Sequence, residues 1–333
     1  MANLLTISGS PHIQSDNTTK KIMWGVVTAL VPTMLVSFWY FGLSAIILTL
    51  TSVAACVLFE YLVTKYLLKQ ASTITDGSAV ITGILLALNV PSNLPVWMLI
   101  IGALVAIGVA KMTYGGLGKN PFNPALVGRV FMLISFPVNM TSWPLPMVNR
   151  TVLADAITGP TSLGIIKEGI AKGDTVDKLM SHVPNYLDML IGNMGGSLGE
   201  VSAIAIIIGG LFMLFRKIIT WHIPFTFILT VFLFTGILYY ADPTKYIDPV
   251  FHLLAGGLML GAIFMATDMV TSPMSKSGML VFGFGCGILT VLIRVWGAYP
   301  EGVSFAILIM NALVPLINKG FKSKKFGEVI KNG

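Results

Sequence analysis

Apolar residues along this chain come in long blocks separated by short polar stretches, with neither the 3.6-residue nor the two-residue alternation of a half-buried element. Ten blocks can be read, at roughly 22–42, 44–66, 77–91, 94–112, 121–137, 199–216, 218–240, 250–268, 278–297 and 302–319. A hydrocarbon core of about 30 Å takes about 20 apolar residues of helix, so the pattern predicts about ten membrane-crossing helices. The block at 77–91 is short for a crossing and ends in the turn-forming Val90-Pro91-Ser92-Asn93, which predicts a broken or re-entrant helix. The blocks divide the chain into a polar N-terminal segment 1–21, a first transmembrane half 22–137, a long intervening segment 138–198, a second half 199–320 and a basic tail 321–333.

The two halves are alike in sequence. Gly83-Ile-Leu-Leu-Ala87 has a counterpart in Gly261-Ala-Ile-Phe-Met-Ala266, and Phe122-Asn-Pro-Ala125 is echoed more weakly by Val303-Ser-Phe-Ala306. Five helices is an odd number, so a duplication of this kind inverts one copy in the membrane. The fold expected is an all-α membrane protein built as two inverted five-helix repeats. Its interrupted helices fall where Asp76-Gly77-Ser78 and Asn89-Val90-Pro91 stand in one half, and Ala255-Gly256-Gly257 and Thr271-Ser272-Pro273 in the other.

Composition agrees with the pattern: 55% of residues are hydrophobic and 11% charged, and the mean hydropathy is +0.84. A soluble domain carries about 25% charged residues, so a soluble enzyme is excluded. The net charge of +7 is spread through short inter-block clusters, which speaks against a nucleic-acid partner and for topology signals. One side of the bilayer receives Lys20, Lys21, Lys65, Lys69, Lys111, Lys119, Arg216, Lys217, Lys276 and the lysines from Lys319 onward, and the other only Arg150, Lys167, Lys172, Lys178 and Lys245. That asymmetry places both termini in the cytoplasm and segment 138–198 outside the cell membrane. The N-terminal segment lacks the apolar stretch of a cleavable signal peptide. Cys56 and Cys286 lie far apart inside apolar blocks, so any redox chemistry needs a non-metal cofactor or another subunit.

Ionisable residues inside apolar blocks are the first places to look for function. Arg129, in Pro121-Phe-Asn-Pro-Ala-Leu-Val-Gly-Arg129, is the deepest, and its guanidinium either holds an anionic group or pairs with a neighbouring helix. Arg294 lies near the end of its block, where it is expected to snorkel toward the surface. Glu60 is expected at a wet position near a helix end. Asp76 and Asp268 flank the interrupted helices and serve either an ion pathway or a helix cap. No spacing among the histidines, His222 and His252 included, resembles a metal site.

Segment 138–198 is the most informative stretch, because a passive bundle has no use for it. Gly192-Asn-Met-Gly-Gly-Ser-Leu-Gly-Glu200 is expected to bring backbone amides close to an anion. Earlier in the segment, Asp155-Ala-Ile-Thr158-Gly159-Pro160-Thr161 resembles the Asp-x-x-Ser/Thr-Gly-Ala-Thr signature at which a flavin transferase joins FMN, through its phosphate, to the last threonine. Pro160 stands where that signature has alanine or serine. The chain as a whole resembles the RnfD family of the Rnf electron-transport complexes, relatives of the NqrB component of the sodium-pumping NADH:quinone oxidoreductase. The resemblance runs through Ser8-Gly-Ser-Pro-His12, Asp76-Gly-Ser-Ala-Val-Ile-Thr-Gly83, Lys119-Asn-Pro-Phe-Asn-Pro-Ala125 with Gly128-Arg129, Gly196-Ser-Leu-Gly-Glu200 and Ala266-Thr-Asp-Met-Val-Thr-Ser-Pro273.

That resemblance implies a multi-pass flavoprotein of the bacterial cytoplasmic (inner) membrane, within an electron-transport complex that couples ferredoxin:NAD oxidoreduction to sodium or proton translocation. It implies covalent FMN on Thr161, with Asp155, Thr158 and Gly159 read by the transferase, and a noncovalent riboflavin as a second cofactor that no residue here places. Arg129 is the candidate contact to the flavin ring. Other subunits, the transferase during maturation and the lipid bilayer are the partners implied. No dinucleotide fingerprint follows a strand and no cluster-ligand cysteines are present, so NAD and ferredoxin are expected to bind other subunits. The alternative is an inverted-repeat solute channel or secondary transporter without a redox cofactor, which gives the threonine motif no role.

Overall fold

The computed structural model describes residues 18–69, 73–147, 158–200 and 202–322. The first half contributes α1 (Thr19–Phe41), α2 (Leu43–Leu62), α3 (Ser78–Leu88), α4 (Val96–Leu104) and α5 (Pro124–Ser135). Single π-helical turns, Val63–Leu67 and Val105–Val109, carry α2 and α4 onward. The intervening segment adds α6 (Pro137–Met140), a two-stranded antiparallel ribbon of β1 (Trp143–Pro144) and β2 (Thr158–Gly159), then α7 (Ser162–Ala171), α8 (Val176–Met180) and α9 (Tyr186–Ile191). The second half contributes α10 (Ala203–Phe215), α11 (His222–Ala241), α12 (Pro249–Leu254), α13 (Leu258–Leu260), α14 (Lys276–Trp296) and α15 (Val303–Gly320).

Six of these, α1, α2 and α4 with their extensions, α11, α14 and α15, are long and apolar enough to cross a bilayer. The chain is therefore a mostly helical, multi-pass membrane protein. Exposed Leu35, Leu50, Ile237 and Leu316 face outward from these helices as lipid-facing positions. The other four apolar blocks make shorter elements: α3, α5, α10 and the α12–α13 pair. At 1.5 Å per residue, the single helices among them reach about 17–20 Å, short of a full crossing.

The sequence shows why these helices stop. α3 ends at Asn89-Val90-Pro91, where proline denies the next turn its donor. Its free carbonyls are answered from across the molecule: Gly199 N–H donates to Leu88 O at 2.6 Å and Leu198 N–H to Val90 O at 3.1 Å. The glycine-rich stretch before α10 is expected from sequence to present amides to an anion, and these two instead close the open end of α3. The α12–α13 break falls at Ala255-Gly256, where Gly256 has φ +64°, a left-handed conformation that suits glycine. α5 starts where Asn123 Oδ1 accepts from Ala125 N and Leu126 N, with Pro124 in the first helical position.

The core is one continuous apolar cluster running through both halves. α1 packs on α10 and α5 on α15, while α2 packs on α4 and α11 on α14. α2 and α3 approach closely at Gly83, where an added Cβ would lie 2.6 Å from Val53 Cα. Ser52 Oγ donates to Gly83 O there at 2.7 Å. Gly83→Ala is therefore expected to force α3 away from α2 and cost on the order of 1–3 kcal/mol, read as a lower melting midpoint of the detergent-solubilised chain; an unchanged midpoint would contradict the contact. A smaller apolar core, with Leu163, Ile166, Met189 and Phe251, makes α7–α9 into a lobe seated on α12.

Candidate functional site

Among the described residues, buried charged side chains with opposite-charge partners gather in two clusters. Near the start of α3, Lys111 Nζ is 2.5 Å from Glu60 Oε2, with the two side chains only 2% and 1% exposed. The same ammonium donates to Ser78 Oγ at 2.7 Å. Ser78 in turn donates to Asp76 Oδ1 from its hydroxyl at 2.6 Å and from its backbone N–H at 2.7 Å. Thr73 Oγ1 donates to Glu60 Oε1 at 2.9 Å. The outcome corrects two expectations: Glu60 is not at a wet helix end, and Lys111 is not a surface charge marking topology. Each justifies the other's burial, a pairing that block patterns do not reveal because the partners come from different helices.

Ser78 and Lys111 also line a cleft with Thr82, Asn120, Asn123, Thr267 and Asp268, with about 80 Å³ of space open to water-sized molecules. That is room for several waters or one partly hydrated ion. Asp268 Oδ2 accepts from Thr271 Oγ1 at 3.0 Å and its Oδ1 from Val270 N at 3.4 Å, so it caps its turn while facing the cleft. Asp76 caps the start of α3 and stands behind Ser78. Asn123 Nδ2 donates to Met265 O at 3.2 Å, tying the first half to the π-helical turn Gly261–Met265 of the second. Ser78→Ala is expected to leave one Lys111 proton unpaired at a cost of about 1–3 kcal/mol, seen as a lower melting midpoint, with Ser78→Thr close to wild type; an equal loss in both variants would contradict a hydroxyl role.

The second polar cluster lies under the α7–α9 lobe. Arg129, 4% exposed, forms an ion pair with Glu301 in the turn before α15 and donates to Ser304 Oγ. Glu200 Oε1 is 4.0 Å from the same guanidinium nitrogen. The Arg129–Glu301 pair joins α5 to the other half. Arg129 Nε, Glu200 Oε1, Glu301 Oε1 and Ser197 Oγ are buried without a hydrogen-bond partner among the described residues. Arg294 does not snorkel: it is 5% exposed and donates to His252 O at 2.6 Å and Ala255 O at 2.9 Å, closing the carbonyl end of α12 at the helix break.

Thr161 reaches this cluster through α7. It is the N-cap of that helix, its Oγ1 accepting from Gly164 N at 3.0 Å. The flanking Thr158 and Pro160 are exposed, and Gly159 pairs with Trp143 in the ribbon. Asp155 and Ser8–His12 lie outside the described residues. Two residues past Thr161, Leu163 packs against Gly256, where an added Cβ would meet Leu163 Cδ1 at 2.6 Å and Arg294 Nη2 at 3.1 Å. Gly257 faces Glu200 Oε1 in the same way at 3.1 Å. The helix break is therefore held between the lobe on one side and the Arg129–Glu200–Glu301 cluster on the other. In the lobe itself, burial lowers the Lys167 ammonium from the ordinary lysine value. Partial desolvation of the Tyr186 hydroxyl and its donation to Asp248 raise the tyrosine's pKa.

Comparison with known proteins adds a whole-chain likeness. The profile of the NQR2, RnfD, RnfE family matches residues 6–327. The D component of the proton-translocating ferredoxin:NAD(+) oxidoreductase complex of Clostridium ljungdahlii is 45% identical over 330 residues, covering 98% of this chain and 97% of that protein. Its counterpart in the Na(+)-translocating ferredoxin:NAD(+) oxidoreductase complex of Acetobacterium woodii is 40% identical, over 97% of this chain and 95% of its own. The corresponding component of an ion-translocating oxidoreductase complex of Escherichia coli is 37% identical, over 96% and 98%.

Proposed function

The chain belongs to the NQR2, RnfD, RnfE family, and from that premise we propose that it is the flavin-bearing subunit of a membrane complex in which electron flow between ferredoxin and NAD drives sodium ions or protons across the bilayer. FMN joined to Thr161 supplies one- and two-electron chemistry, and the chain supplies its position and electrostatic surroundings.

The observation that carries this reading is the place of Thr161. Its hydroxyl caps a ten-residue helix, so a phosphoryl group on Oγ1 would stand at the positive end of α7, where free N–H groups and the helix dipole favour an anion. Thr158 and Pro160 beside it are exposed while Thr161 itself is only 6% exposed, so loading the flavin calls for the start of α7 to open to the transferase. Beneath the lobe, Arg129 acts as half of an ion pair rather than as a free cation, and its unpartnered Nε is the part left for a flavin contact. The matching contacts of the halves, α1 on α10, α5 on α15, α2 on α4 and α11 on α14, support two inverted repeats. The lysine asymmetry supports termini in the cytoplasm and Thr161 on the outer face. The cleft lined by Ser78, Lys111 and Asp268, with Asp76 behind it, is the candidate entry for ions on the opposite side.

The test is to co-express the chain with a flavin transferase and look for fluorescence that survives a denaturing gel, then to weigh the tryptic peptide containing Thr161. A fluorescent band and a mass increase of one FMN on that peptide are expected. A colourless protein with an unmodified peptide, from a transferase proven active on another substrate, would move the transporter reading to first place.

A further inference from the structure

Lys167, counted from sequence only as an outer-side charge, makes a concentrated polar contact between the lobe and the transmembrane bundle. Its Nζ is 2.5 Å from Gly297 O, 2.9 Å from Tyr299 O, 3.2 Å from Arg294 O and 3.5 Å from Ile293 O. The carbonyls come from the last turn of α14 and from the turn that follows it. An ammonium carries three protons and no acceptor, and a helix C-terminus carries partial negative charge, so the cage suits a compact cation. A planar guanidinium presents a fork that does not match oxygens converging on one point.

The contact joins two parts that matter to the proposed relay. Lys167 lies on α7, about 9 Å along the helix from the capping Thr161. The turn it grips leads within two residues to Glu301, the ion-pair partner of Arg129. Beside the cluster, α7 also touches the bundle through Leu163 against Gly256, an apolar contact that resists sliding weakly. Lys167 therefore adds a directional polar anchor to the apolar seat that Leu163 and Ile166 give α7 against α12.

We propose that Lys167 is a positioning residue of the electron relay: its ammonium locks the helix capped by Thr161 onto the carbonyl-lined end of α14 and fixes where a group carried on Thr161 stands relative to the Arg129–Glu301 pair. This rests on the reading of Thr161 as the flavin-bearing residue. Electron transfer falls exponentially with distance, so a shift of α7 that moves the group on Thr161 slows the relay.

The test uses the flavin-loaded whole complex with Lys167→Ala, which removes the equivalent of n-propylammonium. Flavin content and the melting midpoint of the bundle are expected to stay close to wild type, while ferredoxin-to-NAD electron transfer falls severalfold. Backbone amide exchange is expected to rise in α7 and in residues 297–301. Added n-propylammonium should restore most of the rate and of the protection, and n-propanol should not, because a purely structural loss would not distinguish a cation from its neutral analogue. A variant with full rate and unchanged exchange overturns the proposal. So does a slow variant whose α7 stays protected and which the ammonium fails to rescue. If wild-type Thr161 carries no flavin, the relay reading itself falls, even where α7 exchange responds to Lys167→Ala.

Discussion

Thr161→Ala is expected to abolish covalent flavin and, with it, electron transfer through the complex to the level of a preparation lacking this cofactor. Because Thr161 Oγ1 also caps α7, alanine is further expected to cost about 0.5–2 kcal/mol of helix stability, and the two effects need separating. Thr161→Asn does so: asparagine caps helices about as well as threonine but offers no hydroxyl for a phosphoester. It should keep the wild-type melting midpoint and lose the flavin. Thr161→Ser keeps both the cap and the hydroxyl and should remain fluorescent on a denaturing gel. The three variants are scored by in-gel fluorescence, peptide mass and ferredoxin-driven NAD reduction. Fluorescence persisting in Thr161→Asn would place the flavin elsewhere, and loss of folding in all three would reduce Thr161 to a structural cap.

Block lengths and turn residues make most of the transmembrane architecture legible, because bilayer thickness ties apolar run length directly to helix length. The Val90-Pro91 and Ala255-Gly256 interruptions are visible for the same reason: proline removes a donor and glycine permits a left-handed turn whatever surrounds them. Pairings between distant helices are not legible. Glu60 and Lys111 read as a helix-end carboxylate and a loop cation, since each is tolerable alone near a membrane surface, and only their 2.5 Å contact explains their full burial. Glu301 and Lys167 have a distant arginine and backbone carbonyls as partners, and neither kind of partner leaves a sequence signal. The Gly196-Ser-Leu-Gly-Glu200 stretch stands out for its amides, but those of Leu198 and Gly199 go to carbonyls at the open end of α3 and that of Ser197 to the Glu200 carboxylate. Two chemistries, anion binding and helix closure, call on the same small residues.

Arg129→Met is expected to be the most damaging single change in the transmembrane region. The guanidinium satisfies Glu301 and Ser304 and stands 4.0 Å from Glu200, so its loss leaves one buried and one partly buried carboxylate with no cation in contact among the described residues. Breaking a buried pair by removing one partner typically costs about 3–5 kcal/mol, because the remaining charge stays desolvated and unpaired. Here the pair also joins α5 of one half to the turn before α15 of the other. The expected result is a melting midpoint lowered by many degrees and poor recovery of assembled complex. Glu301→Gln with Arg129→Met removes the stranded charge at Glu301 and should recover a substantial part of that stability, while Glu301→Gln alone leaves Arg129 with Ser304 and the more distant Glu200 carboxylate. Arg129→Lys keeps the charge but cannot reach Ser304 and Glu301 with one fork, so it should fold better than methionine and still shift the reduction potential of flavin held above it. If methionine alone matches the double variant in stability, the ion pair contributes nothing between the halves. If the lysine variant folds but leaves the potential at its wild-type value, Arg129 is a structural tie and not part of the flavin's electrostatic surroundings.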